Sequence, residues 1–210
     1  RTLLSLTYTD QKLTQVVDSI GREVTYGYDL SDNLVTVNDV GGGTTTFTYD
    51  SGHRVLTITD PNGHTYLTNE YDSNGRVIQQ WDTEGYTTTF FYNILDNDTF
   101  VTDRRGNTTK YDYDDQSRLQ SKTDAMGYIT SYGYDSNNNL ISVTDPNGNN
   151  TTSTYDDRGN RLTTTDSLGG VTSLTYNDKN LPLTITDANG NTTSRTYDTS
   201  GNLLTNQNPL

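Results

Sequence analysis

The sequence repeats itself about every 21 residues, and that period constrains the fold more than any other feature. Tyrosine followed by Asp or Asn stands at Tyr28, Tyr49, Tyr71, Tyr92, Tyr113, Tyr134, Tyr155, Tyr176 and Tyr197. Successive spacings are 21 throughout, except for one of 22 between Tyr49 and Tyr71. Tyr8, followed by Thr9 and 20 residues before Tyr28, reads as a drifted first member. Eleven residues after each tyrosine from Tyr28 to Tyr176 stands an aspartate: Asp39, Asp60, Asp82, Asp103, Asp124, Asp145, Asp166 and Asp187. Three further on comes a glycine: Gly42, Gly63, Gly85, Gly106, Gly127, Gly148, Gly169 and Gly190. A fixed period of this length is the mark of a repeat architecture, in which one small unit packs on copies of itself.

Each unit divides into two strands and two turns. The segments Asp60–Gly63 and Asp145–Gly148 read D-P-N-G, with Asp, Pro and Gly where a type I turn prefers them. The Asp side chain can accept hydrogen bonds from N–H groups inside the turn. The second turn is Y-D-x-x-G, as in Tyr71–Gly75 and Tyr155–Gly159, where Gly supplies positive φ and completes a bulged hairpin. Between the turns lie β-type runs: 34–37, 55–58 and 140–143 after one turn, 44–49, 87–92 and 108–113 before the next. Phe47 with Tyr49, Phe90 with Tyr92, Tyr111 with Tyr113 and Tyr132 with Tyr134 are two residues apart and so share a face. The reading is an all-β antiparallel array of hairpin repeats, residues 1–210 in about ten units, forming a curved or spiral β-ribbon. Long sheets twist and curl, and an aromatic face must be covered.

Composition alone would leave disorder open. Only 29% of residues are hydrophobic and the net charge is −13, the profile of a chain that cannot bury enough apolar surface. Thr, Asp and Asn supply 40, 24 and 22 positions, and Tyr 16. Thr and Tyr suit a pleated surface, whereas Asp and Asn suit turns, and their periodic order favours β structure. The acidic balance argues against a nucleic-acid groove, which needs clustered Lys and Arg. With no Cys there is neither a disulfide framework nor a thiol nucleophile. No apolar run is long enough for a membrane-spanning helix.

The pattern Y-D-x-x-G-(N/R)-(L/V), then D-x-x-G, then T-x-x-(aromatic)-x-Y-D, closely resembles the YD repeat of Rhs proteins. The best units are YDSNGRV from Tyr71, YDSNNNL from Tyr134 and YDDRGN from Tyr155. Departures are Tyr92, followed by NILDND without its Gly, Asp98 in a usually aliphatic slot, and Asn69, Ser153 and Arg195 where an aromatic is usual. The family comprises long secreted or surface-exposed bacterial proteins, with teneurins as animal relatives. The resemblance implies a non-catalytic scaffold, the wall of an extracellular β-shell, tube or fibre, which in toxin members encloses a polymorphic C-terminal toxin. A carbohydrate-binding or cell-surface-binding module using the tyrosine ladder is the alternative.

No residue set points to catalysis or to a bound cofactor. His53 and His64 are the only histidines; they fall in and beside neighbouring turns and read as solvated. Asp114-Asp115 and Asp156-Asp157 keep the repeat phase and are turn residues. The aspartate column could offer oxygen ligands to Ca²⁺, but one Asp per turn more often caps its own backbone. Arg104-Arg105 is the only basic doublet and reads as a solvated turn. The expected partners are neighbouring repeats or identical copies joined end to end, with an enclosed toxin domain or surface glycans as further candidates. End-to-end joining rests on register: Asn208, Pro209 and Leu210 fill slots of one turn, and Arg1 falls in the Gly slot that follows. The chain therefore reads as a segment of a longer array or as a unit of a continuous assembly, with no sign of where the array ends.

Overall fold

The computed structural model describes residues 3–208, so the register expectation for Arg1, Pro209 and Leu210 lies outside the described residues. The chain is all-β, with twenty antiparallel strands and no helix among the described residues. Two compact units are distinguished, Arg1–Tyr92 with Phe100–Thr108, and Asn93–Thr99 with Thr109–Leu210. The first holds β1 (Leu4–Thr9), β2 (Lys12–Asp18), β3 (Glu23–Tyr28), β4 (Leu34–Asn38), β5 (Thr44–Tyr49), β6 (Val55–Thr59), β7 (Thr65–Tyr71), β8 (Val77–Trp81) and most of β9 (Thr87–Asn93). Residues of β10 (Asp98–Thr102) fall in both. The second holds β11 (Thr108–Tyr113, from Thr109), β12 (Leu119–Thr123), β13 (Ile129–Tyr134), β14 (Leu140–Thr144), β15 (Asn150–Tyr155), β16 (Arg161–Thr165), β17 (Val171–Tyr176), β18 (Pro182–Thr186), β19 (Thr192–Tyr197) and β20 (Leu203–Gln207). In each unit every strand from β1 to β9, or from β11 to β20, pairs with the next, as a meander of hairpins requires.

A β-bulge recurs beside the Y-D turns. In β5–β6, Tyr49 faces Val55 but Phe47 faces Ile58, so one extra residue sits on the second strand. The same slip occurs just before Tyr28, Tyr71, Tyr113, Tyr134, Tyr155, Tyr176 and Tyr197. A bulge breaks the two-residue alternation and increases the local twist. It explains why apolar residues on the second strand are spaced by three, as Leu34 and Val37 or Leu140 and Val143, while aromatics on the first are spaced by two.

The two irregular spacings have local causes. Between β6 and β7, Ile58 faces Leu67 and Thr59 faces Thr65, which leaves Tyr66 unpaired as the inserted residue of the 22-residue interval. At the start, Thr9 pairs with Lys12 across a two-residue loop, Asp10 and Gln11, both with positive φ. That loop is one residue shorter than the others and accounts for the 20-residue interval. Tyr8 still sits at the bulge, as the first member of its column.

The faces are unequal. Rings and aliphatic side chains of the tyrosine face are mostly half-buried, and no hydrophobic residue among those described is fully buried. A single layer of sheet cannot cover its own face, so neighbouring side chains shield one another without forming a sealed core. The other face carries paired threonines, with hydroxyls 2.6 Å apart in Thr48–Thr57 and Thr154–Thr163, and 2.7 Å in Thr175–Thr184 and Thr196–Thr205.

Candidate functional site

The repeat columns converge on one small device used many times. Its first part is the turn aspartate. Asp60 Oδ1 accepts from the N–H groups of Asn62 at 2.9 Å and His64 at 2.8 Å, while its carbonyl accepts from Gly63 N–H at 3.0 Å and its own N–H donates to His64 O at 2.9 Å. The Y-D turn is the same object: Asp72 Oδ1 accepts from Asn74 and Arg76, each at 2.9 Å, and Asp72 O from Gly75. The sequence suggested two kinds of turn, but the same five-residue hydrogen-bond pattern closes both edges. Aspartate is needed because its short side chain satisfies N–H groups that the strand ladder cannot reach; Asn177 does the same work with its amide oxygen. The fourth turn residue carries positive φ, which glycine adopts without strain. It is Gly in every D-x-x-G turn, whereas Asp32, His53, Ser117, Asn138 and Asn180 take that role in Y-D turns.

Where the residue four on adds a side-chain donor, these turns depress the carboxylate pKa. A side-chain hydrogen bond from Asn149, then its N–H, hold Asp145 below the ordinary 3.8, and Asn107 does the same for Asp103 and Asn191 for Asp187. For Asp72 the Arg76 N–H comes first and its guanidinium second. Asp18 belongs to this set, lowered first by the Arg22 N–H, and Asp18–Gly21 forms a D-x-x-G turn outside the columns read from the sequence. The signal was there: Asp18 lies ten residues after Tyr8, one fewer than usual, in step with the shortened loop.

The second part is a tyrosine latch. The hydroxyl of Tyr49 donates to Leu34 O at 2.7 Å, that of Tyr92 to Val77 O at 2.8 Å and that of Tyr155 to Leu140 O at 2.9 Å. Tyr28, Tyr71, Tyr134, Tyr176 and Tyr197 bond in the same way to the carbonyls of Leu13, Val55, Leu119, Arg161 and Pro182. Every acceptor is the residue just after the preceding Y-D turn, so each ring fastens one hairpin to the one before. Tyr71 reaches back 16 residues where the others reach 15, because Tyr66 is inserted between. Periodicity revealed the rings; why they are Tyr rather than Phe became visible only in the folded geometry. Cations cover several of them: Arg54 over Tyr71 at 4.7 Å, Arg76 over Tyr92 at 4.6 Å and Arg118 over Tyr134 at 4.9 Å. Each of these arginines also pairs with its own turn aspartate, Asp50, Asp72 and Asp114.

The degenerate unit after Tyr92 is built differently. Tyr113 lacks the latch, and its main-chain N–H donates to Asn97 O at 3.1 Å. Asp98, in the aliphatic slot, is the one buried residue among those described, 8% exposed. Lys110 Nζ lies 3.1 Å from Asp98 Oδ2 and 2.5 Å from Asp112 Oδ1, and Ser121 Oγ donates to Asp112 Oδ2 at 2.6 Å. Sharing a hydrogen bond with the Asp112 carboxyl, and burial, push Asp98 up and favour its protonated form.

The remaining sequence candidates stay apart. His53 Nδ1 lies 2.8 Å from Asn33 Oδ1, and His64 Nδ1 lies 3.3 Å from Asp60 Oδ2, each in its own turn. Among the described residues no three His, Asp or Glu side chains gather as metal ligands would. Asp114 and Asp156 each cap their turn, through Gln116 and Arg118 and through Arg158 and Asn160.

A family model described as RHS Repeat matches residues 8–44, 31–65, 71–97, 113–149, 134–172 and 176–208. No curated protein matches. Solved structures do, 54 chains in all. A TcdB2-TccC3-Cdc42 crystal structure superposes with a TM-score of 0.69 at 15% identity, over 99% of this chain and 12% of that one. TcdB2-TccC3 without its hypervariable C-terminal region gives 0.69 at 15%, over 98% and 12%. The Tc holotoxin pore of Photorhabdus luminescens gives 0.68 at 14%, over 98% and 12%. The chain thus spans about an eighth of the solved chains it matches, and at this identity the likeness is one of fold.

Proposed function

Because this chain belongs to the RHS repeat family, we propose that it is a length of wall in a secreted or cell-surface β-shell, a structural part with no chemistry of its own. The observation that carries the reading is the latch: one hydrogen bond from each column tyrosine back to the preceding hairpin, present in eight units. A residue column that serves to bind each repeat to its neighbour is what a wall needs, and a row of hydroxyls committed in this way is less available to a glycan. The solved structures of similar fold include a Tc holotoxin pore and a TcdB2-TccC3 structure without its hypervariable C-terminal region. By analogy the half-buried aromatic face lines the space around an enclosed toxin or other cargo, and the threonine face meets solvent. The turn aspartates act as caps, and the wall needs no Ca²⁺ or other cofactor. Identical copies joined end to end into a tube or fibre remain the second arrangement.

The test is the complete polypeptide in its secreted form, imaged by electron microscopy and digested with protease. Closed particles whose non-repeat segment resists digestion until the wall is unfolded are expected. Open filaments built of this ribbon would favour end-to-end assembly, and an intact wall that leaves every other segment accessible would remove the enclosing role. Chelator should leave the particles unchanged.

A further inference from the structure

The repeat serves as its own alignment, so a residue that breaks a column in a shared place is a signal. Two aromatic residues do this around one cleft, and a third aromatic joins them there. Tyr66 is the inserted residue of β7. Trp81, the only tryptophan, occupies the slot that holds Thr59, Thr102, Thr123, Thr144, Thr165 and Thr186 in other units. Tyr86 follows the glycine of its turn, a slot that holds Asn107, Asn149 and Asn191 in three units and a second tyrosine, Tyr128, in another. All three line a cleft of about 430 Å³, together with Asp82, Asp103, Arg104 and Arg105. That volume falls within the usual range for small-molecule sites.

The cleft already holds a cation. The Arg104 guanidinium lies 4.8 Å over the Tyr86 ring, 4.0 Å from Asp82 and 3.9 Å from Glu84. Both ion-pair distances are long, and the Arg104 side chain is 49% exposed, so it is loosely held. Aromatic faces with carboxylates beside them are the usual recognition surface for alkylammonium and guanidinium groups. Asp82 and Asp103 match the two arginines of the lining, Glu84 beside Arg104 adds a third carboxylate, and the chain as a whole carries −13, which favours a positive ligand over an anionic one.

We propose that this cleft binds an organic cation, an alkylammonium or guanidinium group, against Trp81, Tyr66 and Tyr86 with Glu84 and Asp82 as counter-charges, and that Arg104 is the intramolecular occupant it displaces. The site is independent of the wall role, since none of the three rings belongs to the latch column.

Because Trp81 is the single tryptophan, fluorescence excited at the red edge of tryptophan absorption, where the 16 tyrosines contribute little, reports on this cleft. The titrants are choline chloride and N-acetyl-argininamide at matched ionic strength, with 3,3-dimethylbutan-1-ol as the uncharged isostere of choline and maltose as a neutral saccharide. A saturable change is expected with at least one cation, and binding of the isostere weaker by about fivefold or more. The tighter of choline and the arginine amide identifies which headgroup the site favours. Glu84→Gln should weaken cation binding and Arg104→Ala should tighten it, with unchanged circular dichroism. The proposal falls if neither cation saturates, if the isostere or maltose binds as tightly as the better cation, or if a folded Arg104→Ala chain binds the cation more weakly. The wild-type titrations decide the matter even if a variant fails to fold.

Discussion

At the scale of the residue, the repeat works by giving its column side chains bonds that the backbone cannot make alone. Removing the hydroxyl of Tyr155 takes away its bond to Leu140 O and leaves the ring, so Tyr155→Phe should cost about 0.5–1.5 kcal/mol. Tyr113 has no latch, so Tyr113→Phe is the internal control and should cost clearly less in the same denaturant titration. Gly148 makes the complementary case: a Cβ there would meet no atom within 4 Å, yet φ is +84°. Gly148→Ala should therefore lose about 1–2 kcal/mol through backbone strain alone, measured as a lower unfolding midpoint. Which residues matter was legible in the sequence, because a column shows identity and spacing. What each does was not, since the hydroxyl acceptor lies in the preceding hairpin and no local pattern names it. Asp98 shows the limit most clearly. Its slot marked it as a departure, but only the folded strands bring Lys110 and Asp112 to it.

At the scale of the element, the hairpin tolerates change at places fixed by register. Tyr66 is unpaired between Ile58–Leu67 and Thr59–Thr65; deleting it would restore the register of hairpins such as β18–β19, where Ile185 faces Thr193 and Thr186 faces Thr192. That deletion should leave the fold and its unfolding midpoint nearly unchanged. Deleting Thr193 instead shifts a paired strand by one residue and turns its side chains to the wrong face; circular dichroism and the midpoint should both show a marked loss. Strand boundaries were legible to within a residue, because Gly and Asp mark the turns on both sides. A bulge beside the Y-D turn was legible from Y-D-x-x-G, but its recurrence in units whose turn lacks that glycine, as at Tyr28 and Tyr134, was not. The only trace there is the three-residue spacing of Leu34 and Val37 or Leu140 and Val143.

At the scale of the whole molecule, stability is distributed over many equal parts. The turn aspartates that accept a hydrogen bond from the side chain four residues on, such as Asp145, Asp103 and Asp187, give it a shared pH dependence. Their folded pKa values lie below the unfolded value near 3.8, so the stabilisation is fully present above that value and is lost as pH falls through the lower folded values. Unfolding midpoints should stay level from neutral pH to about 5 and fall steeply below about 4. Asp145→Asn should keep the cap, as Asn177 does, and remove its share of the slope. Repeat arrays draw their stability from nearest neighbours, so removing β19 and β20 should lower the midpoint modestly and preserve the β spectrum of what remains. The fold class was legible from the period alone, whereas the shallow burial was not, since the same half-apolar strands would suit a sheet packed on a second layer. The latch has one further consequence. Because each tyrosine reaches only into the hairpin before it, the bonding of a unit is indifferent to how many units stand on either side. A stretch of coding sequence one period long can then be duplicated or lost by unequal exchange between similar copies, and the array changes its length in whole steps while every joint stays as it was.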